Sequence, residues 1–368
     1  MKQFIVLMFI FCLLTTFVQS SVQDDPEING VPMSKWIAQL EDMNRGNQVR
    51  AARALAEAPP EYHKMLVPKL IPLLSAQREN TRPWAAMALG NYGPVAREAV
   101  PHLIPLLHDE QYERNRAAAA KALGQILKGA EPSEEVEKVV NELIRLFDDQ
   151  YLDVRREAVR ACGMIGLAAK ACIPHLAKRI KEAAGGSSLI RSVGKEAVWT
   201  CGQFGPLAAC HIDLLISVMH GGPVPETIEA IGKIGAVNDN VVPNIVDRME
   251  QVASGTVHVQ EGSRTPPMSG ELIRANMQKG FEALARFGPK SAPAIPYLTR
   301  IVSGVDKQPK DYVLGALGVL KAIGAPASSA VPAIEKCLQS KDADIKKAAE
   351  EALTAIRSGG QGGAAPAK

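Results

Sequence analysis

Seven histidines and six cysteines are the side chains here best suited to metal or nucleophilic chemistry. The histidines (His63, His102, His108, His175, His211, His220 and His258) do not recur with the spacing that puts two ligands on one helix face. Cys12 lies in an apolar leader, which leaves Cys162, Cys172, Cys201, Cys210 and Cys337. In an oxidising compartment five cysteines leave at least one thiol unpaired within a monomer. Nothing here assembles a nucleophile with a base and an orienting group, so no enzyme activity and no cofactor are expected. The charged residues suggest recognition instead. Arg53, Lys121 and Arg160 fall at one repeated position in the first half of the chain, and Glu229, Glu282 and Glu351 at the same position in the second, with Trp199 between. A charge gradient of that kind orients a long partner. The formal net charge of +3 gives no reason to expect nucleic acid.

That position is defined by a phrase of the A-L-G type, centred on Leu55, Leu89, Leu123, Cys162, Cys201, Ile231, Leu284, Leu320 and Leu353. The centres lie 34, 34, 39, 39, 30, 53, 36 and 33 residues apart, the period of helical solenoids. Four residues before each centre stand Ala51, Ala85, Ala119, Ala158, Ala197, Thr227, Gly280, Ala316 and Ala349. Three residues after it stand Ala58, Tyr92, Ile126, Ile165, Phe204, Ile234, Phe287, Ile323 and Ile356. With the residue just before the centre these form an i, i+3, i+4, i+7 stripe, the buried face of a helix. The small column lets helix backbones approach closely. Gly93, Gly166, Gly205, Gly235, Gly288 and Gly324 come directly after the stripe, where a left-handed residue ends a helix. Pro101, Pro174, Pro243, Pro296 and Pro332 then open a second apolar run, since proline is tolerated in a first helical turn. Each repeat is read as a helix opened by proline, a loop, and an alanine-rich helix closed by glycine. The fold class expected is all-α, an α-solenoid (superhelix) of about nine helical hairpins.

These phrases resemble the HEAT-repeat family, specifically its short bacterial, phycobilisome-lyase-like type, an armadillo-type α-solenoid. Asp153-Val154-Arg155-Arg156-Glu157-Ala158 with Ala161-Cys162-Gly163-Met164-Ile165-Gly166 lies nearest the family phrase. The resemblance implies that the second helices line the concave surface. Some members resemble iron-dependent hydroxylases whose ligands are His-Glu pairs, and this sequence has no His-Glu dipeptide. Arg82, Arg116, Arg155 and Lys346, seven residues before their centres, are read as a structural ladder. Cys162 and Cys201 are themselves centres and are read as small core side chains.

The segments expected are a signal peptide over 1–20, a polar linker over 21–30, the repeat array over 31–357 and a disordered glycine-alanine tail over 358–368. Lys2, the apolar run Phe4 to Phe17 and the small residues Val18 and Ser20 carry the first of these. The mature protein is expected in the periplasm or outside the cell, without stable membrane insertion. The 53-residue spacing holds a long loop, 253–269, with Val257, His258 and Arg264 as candidate contacts. The function expected is that of an exported scaffold binding a protein or peptide through the groove (Arg53, Lys121, Arg160, Trp199, Glu229) or the loop edge. The alternative is an enzyme or cofactor-handling protein, lyase-like or metal-dependent, with a site too irregular to recognise.

Overall fold

The computed structural model describes residues 25–78, 80–185, 187–221, 224–254 and 269–359. Nine pairs of α-helices succeed one another among them, and the chain is an all-α solenoid of helical hairpins. The helices are α1 (Met33–Gln39), α2 (Arg45–Ala56), α3 (Pro60–Leu70), α4 (Thr81–Asn91), α5 (Val100–Leu103), α6 (Glu113–Ile126), α7 (Glu134–Arg145), α8 (Leu152–Ile165) and α9 (Leu176–Lys181). They continue as α10 (Ser188–Phe204), α11 (Ile212–Met219), α12 (Val224–Ile234), α13 (Val241–Ser254), α14 (Gly270–Phe287), α15 (Ile295–Ser303), α16 (Lys310–Ile323), α17 (Val331–Cys337) and α18 (Ala343–Arg357). Even-numbered helices are the alanine-rich second members. The contacts divide into two compact units at Ile126/Leu127. The first holds hairpins one to three and the second holds hairpins four to nine.

Every centre residue is buried, as is every residue of the two flanking columns. Second helices pack on second helices: α2 on α4 and α4 on α6 in the first unit, and α8 through α18 in succession in the second. The glycine after the centre makes this approach possible. A Cβ on Gly90 would stand 2.9 Å from the Ala122 backbone, and one on Gly232 would stand 3.1 Å from the Ala283 backbone. Ala158→Leu inserts three carbons into such a contact and is expected to cost about 1–3 kcal/mol. A melting temperature equal to wild type would place Ala158 outside the core. The natural comparison, Glu157, is not the exposed position its sequence context suggests: its side chain is 16% exposed and ion-paired to Arg156 at 3.2 Å. Asp153, 67% exposed on the same helix, is the better control.

All six terminating glycines have positive φ, between 52° at Gly205 and 75° at Gly166. The segments beyond them lead to the next first helices. Five wind as 3-10 turns, Gly93–Ala99, Gly166–His175, Gly205–His211, Gly288–Ala294 and Ala325–Ala330, each leading into the next first helix. Tight i→i+3 bonding satisfies carbonyls that the α-helix leaves open and spares the chain a detour. The helical run Ser188–Met219 is long and apolar enough, by composition, for a membrane span. It is two helices turning at Gly205, and half of its most apolar window is buried in the repeats.

In hairpins one to four the column seven residues before the centre ties the second helix to its own hairpin, whereas Lys346, in the same column, is exposed. Gln48 Nε2 donates to the Asp42 carbonyl at 2.9 Å, Arg82 Nε to the Ala76 carbonyl at 2.7 Å and Arg116 Nη1 to the Asp109 carbonyl at 2.6 Å. Arg155 Nε does the same to the Asp149 carbonyl. Each carbonyl lies just past the first helix of the pair. A charged donor on an open carbonyl is worth more than a neutral one, which accounts for arginine at these positions.

The linker expected over 21–30 is replaced, from Asp25 on, by ordered structure. β1 (Glu27–Ile28) pairs antiparallel with β2 (Val31–Pro32) through Asn29 and Gly30, at φ 54° and 72°. Ile28 is buried and its carbonyl accepts Trp36 Nε1 at 2.8 Å. An Asn-Gly pair is the strongest short-range hairpin signal, which the surrounding polar composition concealed. The segment 1–20, expected as a signal peptide, and residues 360–368 of the expected tail lie outside the described residues.

Candidate recognition surface

Two of the sequence-predicted site residues, Arg53 and Lys121, lie in the first unit, and three, Arg160, Trp199 and Glu229, in the second. Val257, His258 and Arg264 lie outside the described residues. Of the loop expected over 253–269, the first two residues belong instead to a helix. Helix α13 continues through Ser254, whose hydroxyl donates to the Glu250 carbonyl at 2.8 Å.

In the second unit the predicted residues belong to a ladder of charges between neighbouring second helices. Arg160 on α8 meets Glu196 on α10 at 3.0 Å, and its guanidinium sits 5.9 Å from the Trp199 ring centroid. The Trp199 ring covers Gly163, where a Cβ would stand 2.5 Å from Cζ3, so the indole is held against the backbone of α8. One step on, Lys195 pairs with Glu226 at 3.4 Å. Glu229 on α12 is bound by Lys233 at 2.7 Å and by Lys279 on α14 at 3.2 Å. The Lys233 hydrogen bond leads the causes that hold the Glu229 carboxyl below its ordinary range. Lys279 also reaches Glu282 at 3.1 Å, and Lys321 on α16 reaches Glu351 on α18 at 2.9 Å. The acidic half of the predicted gradient is therefore neutralised within the chain. The partners Glu196, Lys279 and Lys321 escaped sequence reading because each belongs to another column and a different helix turn.

At Glu196 burial outweighs the ion pair with Arg160. Burial raises its pKa above the ordinary carboxylate value, and the Arg160 contact lowers it less. An acid with a raised folded pKa contributes stability below its unfolded value and loses it as pH rises through the folded value. The charged form is thus a net cost near neutrality. Glu196→Gln is expected to raise the melting temperature slightly at about pH 7 and to leave it unchanged at about pH 4. A fall near pH 7 would show that the ion pair dominates.

In the first unit the same row is unpaired. Arg53 and Lys121 are exposed and, among the described residues, have no ion-pair partner. Between them on α4 stand Met87, in the same row, and Trp84, both half-buried. Trp84 was missed by sequence reading, although it occupies a fixed place three residues before that row.

The five described thiols all lie in the second unit. Cys162, Cys172, Cys201 and Cys337 are buried, while Cys210 is exposed. The neighbouring Cys162 thiol and then burial push the Cys172 thiol far up, so it is inert as a nucleophile at neutral pH. Among the described residues no three His, Cys, Asp or Glu side chains cluster as metal ligands.

Residues 33–124 match the family model of HEAT repeats, and residues 154–182 match that of the PBS lyase HEAT-like repeat. Importin beta, crystallised in ammonium sulfate, is similar with a TM-score of 0.61 at 14% identity, over 89% of this chain and 47% of that one. Kap121p gives 0.61 at 13% identity, over 90% and 40%. A Kap95:Nup1 complex gives 0.59 at 15% identity, over 95% and 48%. The chain spans less than half the length of these three structures, and the likeness is one of fold. No curated protein matches the chain.

Proposed function

We infer that this member of the HEAT-repeat family is a non-enzymatic scaffold, exported from the cytoplasm, that binds a protein or peptide partner across the exposed face of its second helices. The observation that carries the reading is the contrast between the two sides of those helices. The inner side is a run of small buried residues and the outer side a row of charged and aromatic groups held in register by the packing. Convergent acid–base or metal-binding groups are not part of that row, whereas a regular charged surface on a rigid scaffold suits partner recognition. One of the similar structures is a complex of Kap95 with Nup1, and protein binding on this fold agrees with the reading. Export rests on the apolar run Phe4 to Phe17 and on Ser20.

The test is capture from an envelope extract by the purified chain, scored against a variant with Arg53, Lys121 and Arg160 reversed to glutamate. Specific retention that the variant loses supports the reading. The absence of any retained protein, or turnover of a small molecule by the purified chain, overturns it. N-terminal sequencing of exported material is expected to start at or near Ser21, and an intact Met1 would contradict export.

A further inference from the structure

We propose that the exposed face of α2, α4 and α6 is a docking surface for an acidic, extended polypeptide segment bearing an apolar side chain. This rests on the scaffold reading above and adds the place and the partner's chemistry.

Equivalent positions of these three helices stand side by side. Asn91 Nδ2 donates to the Ala56 carbonyl at 3.3 Å, and Gln125 Nε2 donates to Asn91 Oδ1 at 3.3 Å. The close Gly90–Ala122 approach holds α4 and α6 together beside this pair. One row across the face is accordingly Arg53, Met87 and Lys121, and the row a helical turn below begins Arg50, Trp84. Cations thus flank an apolar centre, with Arg53 and Lys121 two helix spacings apart, roughly 20 Å.

The charge on these helices is one-sided. Helix α2 carries Arg45, Arg50 and Arg53 and no acid. Helix α4 carries Arg82 and no acid. Helix α6 sets Arg114, Arg116 and Lys121 against Glu113 alone. Arg82 and Arg116 are committed to backbone carbonyls, and Arg82 also to Asp109 at 3.2 Å. Arg50 donates only to the neutral Asn47 side chain, at 2.6 Å. In the second unit the corresponding rows are closed by Glu196, Glu226, Glu229 and Glu351. Among the described residues Arg53 and Lys121 lack that internal counter-charge, and a partner's carboxylates would supply it.

Trp84 and Met87 decide between kinds of polyanion. A polypeptide can present an aliphatic side chain to them between its acids, whereas a nucleic acid would call for cations tracking every phosphate. At about 3.3 Å per residue, some six extended residues span Arg53 to Lys121.

The probe is a synthetic peptide of about 12 residues, glutamates with leucine at every third position, beside the matching lysine–leucine peptide and an oligothymidylate of similar length. The intact chain is expected to bind the acidic peptide in a salt-sensitive way and to ignore the lysine peptide. Reversal of Arg50, Arg53 and Lys121 to glutamate should weaken binding by at least about tenfold, and reversal of Lys233 and Lys321 should not. Arg53→Gln with Lys121→Gln, a milder pair, should give an intermediate loss, with unchanged melting temperature as the check on folding. Equal binding by wild type and the first-unit variants overturns the proposal, as does tighter binding of oligothymidylate. Envelope capture that survives the first-unit reversal would sink this inference while leaving the scaffold reading intact. Capture absent from wild type would sink the scaffold reading itself.

Discussion

Gly194→Ala is expected to destabilise the second unit by about 3 kcal/mol or more, although alanine is the better helix former by up to about 1 kcal/mol. Gly194 lies inside α10, in the column that earlier hairpins fill with Gln48, Arg82, Arg116 and Arg155. Those long side chains span the gap to a carbonyl past the first helix. Hairpin five has no gap at that place, because α10 crosses directly on the chain that leaves α9. A Cβ on Gly194 would press on the Ala183 backbone nitrogen and Cα and stand 2.6 Å from the Glu182 carbonyl carbon. All three are backbone atoms, so relief requires moving a helix rather than turning a rotamer. Gly318 on α16 supplies the opposite case: no heavy atom lies within 4 Å of its added Cβ. Gly318→Ala should therefore stabilise, by up to about 1 kcal/mol. Thermal melts of the two variants should move in opposite directions, and a stabilised Gly194→Ala would mean the crossing is looser than described.

Arg179→Ala is the second large effect, a loss of about 3 kcal/mol. Arg179 on α9 is 1% exposed, and its guanidinium bonds the Phe147 carbonyl at 3.1 Å, Asp148 at 3.3 Å and Glu182 at 3.1 Å. Phe147 and Asp148 lie in the 3-10 turn just past the first helix of hairpin four, so this one side chain fastens hairpin five to its predecessor. Truncation leaves the Phe147 carbonyl without this donor and Glu182 with Arg155, at 3.8 Å, as its remaining cation. Asp148 is 65% exposed and loses less, since water and Lys178 still serve it. Arg179→Met separates the contributions by restoring volume without charge. Its melting temperature should fall between those of wild type and Arg179→Ala. A value equal to that of Arg179→Ala would assign the whole loss to polar groups.

Both sites show where sequence reasoning reaches and where it stops. The small column, the apolar columns and the terminating glycines were legible because each depends on residues within one or two helical turns. The positive φ at Gly166 and the burial of Ala158 come from local pattern alone. Partners drawn from another repeat did not. Nothing near Glu229 in sequence points to Lys279, fifty residues on, and nothing near Glu157 signals that it is covered. The predicted charge gradient is present as residue types, but long-range pairing cancels its acidic half and leaves the basic half open in the first unit. Gly194 was invisible for a related reason, since a glycine in a helical stripe reads as a weakness until the crossing chain is known.

The side-by-side register of α2, α4 and α6 also makes this face a ruler. Packed helices repeat every 8–10 Å or so, while a polyproline II segment advances about 3.1 Å per residue with three residues per turn, so each helix matches one turn of such a segment laid across them. The two periods are nearly commensurate. A bound segment would meet one helix with every third side chain and stay in phase over the whole unit, whereas an α-helical ligand, rising about 1.5 Å per residue, would present six or so residues per step and carry most of them away from the surface. Such a scale measures the spacing of side chains rather than their number, and a peptide of the same composition with its leucines clustered instead of set at every third residue would slip out of phase.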